Sequence, residues 1–101
     1  MNQIAAKELK NLINDKSKDF QVIDVRSRLE WEDGHIEDPR VINIDINNLI
    51  FNSSQVSKEK DIYIICESGG RSSLANMFLK TKGYKSFDVT GGMSEFRKLA
   101  S

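Results

Sequence analysis

Cys66 is the only cysteine in the 101-residue chain, and it is followed by Glu67-Ser68-Gly69-Gly70-Arg71-Ser72. A thiol becomes a nucleophile when its thiolate is stabilised, and backbone N–H groups, helix N-termini and nearby cations all do this. Paired glycines let a short loop turn successive N–H groups inward, because they accept dihedrals and close approaches that side chains prevent. A helix starting just beyond the loop adds the positive end of its dipole. Arg71 supplies a cation that can donate hydrogen bonds to an anionic substrate or line the rim of the loop. The segment thus combines a nucleophile, an oxyanion-type cradle and a cation, which together are expected to lower the thiol pKa. The plainer reading is a small buried hydrophobe beside an ordinary glycine turn. Cysteine alone favours that reading, whereas glycine pair, arginine and helix start together favour a reactive thiol.

The neighbouring patterns indicate what positions this loop. Ile62 to Cys66 is the most apolar run and barely alternates, as in a central parallel strand buried on both faces. Beyond the loop, Ser72 or Ser73 is expected to cap a helix whose apolar residues are Leu74, Ala75, Met77, Phe78 and Leu79, ended by Gly83. Upstream, Ile4, Ala5, Leu9, Leu12 and Ile13 recur at helical spacing up to about Asn14. Phe20 to Val25 reads as a strand, Arg28 to Asp33 as a short helix stopped by Gly34, and Val41 to Ile46 as another strand. Asn47 to Phe51 suits one helical turn, and the polar stretch from Asn52 to Asp61 gives no clear signal. Ser86 to Val89 closes the strands, and a turn at Gly91-Gly92 leads into a helix over Met93 to Leu99 with Phe96 facing inward. Strands alternating with helices imply an α/β domain with a mainly parallel sheet, which binds ligands at the carboxyl ends of its strands.

Around this loop the chain resembles the single-domain rhodaneses, which are sulfurtransferases, over nearly its whole length. Asp24-Val25-Arg26 matches the motif that ends the family's early strand, and Glu30-Trp31 with Gly34-His35-Ile36 matches its acidic–aromatic and Gly-His-Ile signature. Asn43-Ile44 and Gly91-Gly92-Met93 follow in the family's order. The resemblance implies a three-layer fold, a mainly parallel central sheet flanked by helices, as one domain over residues 1–101. Four residues separate Cys66 from Arg71, as in the sulfurtransferase loop. The cell-cycle phosphatases and arsenate reductases of this fold have one residue more, in a wider ring that admits a tetrahedral oxyanion. The implied chemistry is ping-pong, with a persulfide formed on Cys66 from a small anionic sulfur donor such as thiosulfate, or from a persulfide donor. A thiol, cyanide or protein acceptor then takes the sulfur. The loop from Glu67 to Ser72 would hold the persulfide, and no metal or organic cofactor is implied.

Asp24, Arg26 and His35 are supporting candidates, for which an ion pair or loop buttress (Asp24, Arg26) and a hydrogen bond (His35) are better roles than acid–base catalysis. Arg26 and Glu30 stand at the spacing of a helix-turn contact, Trp31 and Phe96 read as core aromatics, and Glu30, Glu32 and Asp33 read as a solvated face. Three departures from the family pattern stand out. Glu67 places a negative charge after the nucleophile, where it would repel dianionic thiosulfate if it faced the entrance. The segment between His35 and Asn43 is two residues longer than usual. Phe96 stands where relatives commonly carry Trp.

Composition bounds these readings. Fifteen basic and fifteen acidic residues leave a formal net charge of zero, without the basic footprint of a nucleic-acid binder. One cysteine excludes an internal disulfide and, without companion ligands, a structural zinc site. No apolar run approaches a membrane span, and no signal-peptide pattern opens the chain, so a cytoplasmic domain is expected. Two other functions fit the same loop: a non-enzymatic interaction or regulatory module on this fold, and a redox-sensing thiol.

Overall fold

Side-chain alternation along the strands decides which face of the sheet receives each residue. The computed structural model describes residues 2–99. In chain order these form β1 (Gln3–Ala5), α1 (Ala6–Asn14), β2 (Gln21–Asp24), α2 (Arg28–Asp33), β3 (Val41–Asn43), α3 (Ile46–Phe51), β4 (Ile62–Ile65), α4 (Gly70–Thr81), β5 (Ser86–Thr90) and α5 (Gly92–Lys98). The sheet order is β1-β5-β4-β2-β3, and every pairing is parallel. The expected α/β architecture with a parallel central sheet is therefore present. β4 lies in the middle, with Tyr63 opposite Val22 on one side and Phe87 on the other.

Two apolar layers pack on opposite faces. Ile62, Ile64 and Cys66 join Ile23, Val25, Leu49, Ala75 and Leu79 beneath α3 and α4. Tyr63 and Ile65 join Val22, Leu9, Ile13, Val89 and Met93 beneath α1 and α5. This period of two is the geometry of a strand covered on both sides, and it places the Cys66 side chain under the start of α4.

Three local expectations give way to tertiary context. The helical spacing from Ile4 begins inside an edge strand: Gln3, Ile4 and Ala5 pair with Asp88, Val89 and Thr90, and α1 starts only at Ala6. The strand expected to reach Ile46 ends at Asn43, and Ile46 already belongs to α3. On α4, Leu74 and Met77 are 62% and 63% exposed, while Ser72 and Asn76 are buried. The inward face of α4 is part apolar (Ala75, Leu79) and part polar, the polar part meeting polar residues of β5: Ser72 Oγ donates to Asp88 Oδ1 at 2.5 Å, and Ser86 Oγ donates to Asn76 Oδ1 at 2.6 Å. Among the described residues, every buried side-chain polar atom has a hydrogen-bond partner, as native interiors require. No helix among them is long and apolar enough to cross a membrane.

Candidate functional site

Cys66 follows β4 directly and is 1% exposed. Its sulfur accepts hydrogen bonds from the N–H of Gly69 at 3.1 Å and of Ser72 at 3.3 Å, and the Ser72 hydroxyl lies 3.3 Å away. These donors converge because the chain reverses at Gly69, which caps α4 at φ 114°, ψ −14° without any side-chain cap. An L side chain rarely adopts that φ, so glycine is required there. The first intrahelical bond is Ser73 N–H to Gly69 C=O at 3.1 Å. The preceding amides are therefore left over by helix geometry and gather at the sulfur's end of the helix. This corrects the expected start of the helix: Gly69 is the cap, and Arg71 and Ser72 stand in the first helical turn, not in the loop or at its edge.

A second helix holds the loop from behind. The N–H groups of Met93 and Ser94 donate to the carbonyls of Cys66 and Glu67 at 2.8 and 2.9 Å. Gly92, at φ 56°, lies so close that an added Cβ would stand 2.7 Å from the Glu67 carbonyl oxygen and nearer still to that of Cys66. The Gly91-Gly92-Met93 motif thus lets the α5 N-terminus dock on the peptide units of Cys66 and Glu67. The carbonyls face α5, which leaves the opposite side of the loop to the amides.

The arginines around the site are each paired with a carboxylate. Arg26 and Asp24 are each 1% exposed, and the guanidinium contacts the carboxylate at 2.9 to 3.2 Å. Arg26 also donates to the Gly34 carbonyl at 2.7 Å and reaches Glu67 at 3.5 Å. Asn43 ties β3 to this turn by donating to the Asp24 and Arg26 carbonyls, each at 2.9 Å. A buried pair with its remaining donors satisfied in this way fixes geometry more than it adds stability. Glu67 is gripped by Arg97 of α5 at 2.6 and 2.9 Å, a grip that holds its carboxyl below the usual carboxylate range. Arg71 is gripped by Glu30 of α2 at 2.6 and 2.9 Å. That contact, aided by hydrogen bonds from Ser27, depresses the Glu30 carboxyl to about 2 and raises the Arg71 pKa.

These pairs revise several sequence expectations. Glu30 does not face solvent with Glu32 and Asp33, and it does not meet Arg26; it crosses to Arg71. Arg71 is not an unpaired cation at the rim, and Glu67 does not present an uncompensated charge. Ser68 and Gly70 are exposed at the loop's outer edge. His35 lies outside the sulfur's hydrogen-bond shell, its ring stacked on Trp31 at 3.7 Å with Nδ1 2.6 Å from the Trp31 carbonyl oxygen and Nε2 3.0 Å from Glu37. Trp31 and Phe96 are partly buried and pack at the margin of the α1–α5 layer. Sequence reasoning missed Arg97 and Asp88, and gave Glu30 the wrong surroundings. Partners so distant in sequence leave no spacing signal. Only the acidic residue at the third position of α2, forming a capping box with Ser27, is locally readable.

Comparison with known proteins bears on this geometry. The family described as Rhodanese-like domain matches residues 5–99. The chain is 37% identical over 79 residues to the "Adenylyltransferase and sulfurtransferase uba4" of Ogataea parapolymorpha, covering 76% of this chain and 20% of that protein. It is 28% identical over 94 residues to a "Sulfurtransferase" of Allochromatium vinosum, covering 92% and 85%. The chain spans less than half the length of several relatives, 44% of one from Bacillus subtilis. Among solved structures, SSP1007 of Staphylococcus saprophyticus superposes with a TM-score of 0.85 at 34% identity, covering 95% of this chain and 93% of that one. With sulfurtransferases among its relatives and a sulfur cradled by amides at the strand's end, this chain belongs to the rhodanese-like domain family.

Proposed function

We propose that the chain is a sulfurtransferase that carries sulfane sulfur as a persulfide on Cys66. The observation that carries this reading is the reception of the Cys66 sulfur by two backbone N–H donors at the mouth of a helix. Such preorganised donors stabilise negative charge on sulfur without reorganising when it forms. In the first half-reaction the Cys66 thiolate attacks the outer sulfur of the donor. A new S–S bond forms as the donor's bond breaks, and the donor's remainder leaves with the electron pair, as sulfite when thiosulfate is used. In the second, a thiol, cyanide or protein nucleophile attacks the outer sulfur and returns Cys66 as thiolate.

The charge pattern bears on the donor. Arg26, Arg71 and Arg97 are each paired with a carboxylate, so anion attraction is left to the loop amides. That arrangement suits a persulfide of low charge better than dianionic thiosulfate.

The test is intact mass after incubation with thiosulfate or with a low-molecular-weight persulfide. A single-sulfur adduct removed by cyanide, and absent from Cys66→Ala, is the expected result. No adduct with any sulfane donor would overturn the reading.

A further inference from the structure

One buried charge near the nucleophile has no part in the transfer steps. Asp88 of β5 is 6% exposed and, among the described residues, has no cationic partner. Its side chain meets the Ser72 hydroxyl at 2.5 Å, and that same oxygen lies 3.3 Å from the Cys66 sulfur. One edge of Asp88 borders a surface cleft with Gln3, Ser73 and Asn76.

The polarity of this chain follows from counting protons. A hydroxyl has one proton to donate and two lone pairs. The Ser72 hydroxyl donates to the Asp88 carboxylate at 2.5 Å, and its other acceptor, the Gly69 carbonyl oxygen, is farther at 3.2 Å, so the proton is held by Asp88 in the shorter bond. Ser72 Oγ therefore turns lone pairs toward Cys66. A thiol S–H can donate to them, whereas a thiolate gains nothing there. The two amides favour the thiolate and the hydroxyl favours the thiol.

The other charged groups around the sulfur are Arg71 of α4 with Glu30 of α2, Asp24 and Arg26 after β2, and Glu67 of the loop with Arg97 of α5. Each is held by another partner, which leaves Asp88 as the charge coupled to Cys66 through a single hydroxyl.

We infer that Asp88 is a positioning residue of the nucleophile: through Ser72 it withholds the hydroxyl proton from Cys66 and restrains ionisation of the resting thiol. On the sulfurtransferase reading above, on which this role rests, the restraint guards Cys66 against wasteful alkylation and oxidation between turnovers.

The test is the pH profile of iodoacetamide alkylation of the full chain, read by intact mass. In Asp88→Asn the carboxylate charge is gone and an amide N–H can donate to Ser72 Oγ, which frees the hydroxyl proton for sulfur. The alkylation midpoint should fall by about one pH unit, with about threefold faster alkylation below it, since thiolate fraction outweighs lost nucleophilicity. Ser72→Ala removes the lone pairs, so it should also lower the midpoint, and Asp88→Asn should add less in that background. An unchanged or higher midpoint in Asp88→Asn overturns the proposal. If that variant does not fold, Ser72→Ala decides, because a raised midpoint would show the hydroxyl to be a donor to the thiolate. Alkylation needs no sulfur donor. A chain that takes up no sulfane sulfur yet shows these shifts refutes the transfer function and not the polarity, and the reverse pattern refutes the polarity alone.

Discussion

Two strand-to-helix turns stand side by side at one end of the sheet, and they use their backbone donors differently. Between β2 and α2, the Ser27 hydroxyl accepts the Glu30 N–H at 3.2 Å while the Glu30 carboxylate accepts the Ser27 N–H at 3.0 Å. The helix start is closed by its own side chains. Between β4 and α4 the cap is a glycine with no side chain to offer, and the equivalent donors go to the Cys66 sulfur. A helix end capped from within is finished structure, whereas one whose donors meet a thiol sulfur is a place where charge on that atom can replace the missing cap. Glu30 links the two turns, since the residue that closes α2 also holds Arg71 on α4.

The largest effect is expected at the support behind the open turn. Gly92→Ala would drive a Cβ into the Cys66 and Glu67 carbonyls at a positive φ. A loss of about 3 kcal/mol or more in urea unfolding is expected, together with loss of sulfur loading. Next is the open cap itself. A Cβ at Gly69 meets nothing within 4 Å but inherits φ 114°. Gly69→Ala should therefore cost about 1–2 kcal/mol and slow persulfide formation more than its stability loss explains, measured by urea unfolding beside timed mass spectrometry. At the closed turn, Ser27→Ala should cost about 1 kcal/mol while the Cys66 adduct still forms, and loss of loading in a folded variant would show that the two turns are not separable.

The smallest effect expected is a pH dependence. The Glu30 carboxyl is lowered from 4.5 to about 2, first by Arg71. Its stabilising contribution is therefore complete above the unfolded value and is lost as pH falls from there through the folded one. With about a third of the Glu30 side chain exposed, solvent screening keeps this below about 1 kcal/mol. Glu30→Gln should flatten that part of the acid unfolding curve, and an unaltered slope between pH 4.5 and 2 would mean that the crossing to Arg71 contributes nothing.

Elements with strong local patterns were readable from sequence. Ile62 to Cys66 lacked alternation because both faces are covered, and the glycines at 34, 69 and 91 fall at helix ends. The β1 strand was hidden because its residues continue the helical spacing of α1, and only pairing with β5 makes Gln3–Ala5 extended. Leu74 and Met77 misled for the opposite reason. Their spacing suits an apolar face, but α4 turns polar Ser72 and Asn76 inward toward Asp88 and Ser86. At the site, Cys66 and its loop were legible because they are contiguous. Arg97 and Asp88 were not, because they reach it from α5 and β5.

The sequence by itself determined the lone thiol, the glycines that let backbone approach it, and the alternation of strands and helices that sets it at a strand's end. These depend on local backbone freedom and on short-range periodicity. Tertiary structure alone decided the charge environment: which carboxylate each arginine holds, and that a buried Asp88 addresses Cys66 through one hydroxyl. Side chains bring only their charge and reach to such pairings, and the partner is chosen by which strands and helices the parallel crossovers place side by side.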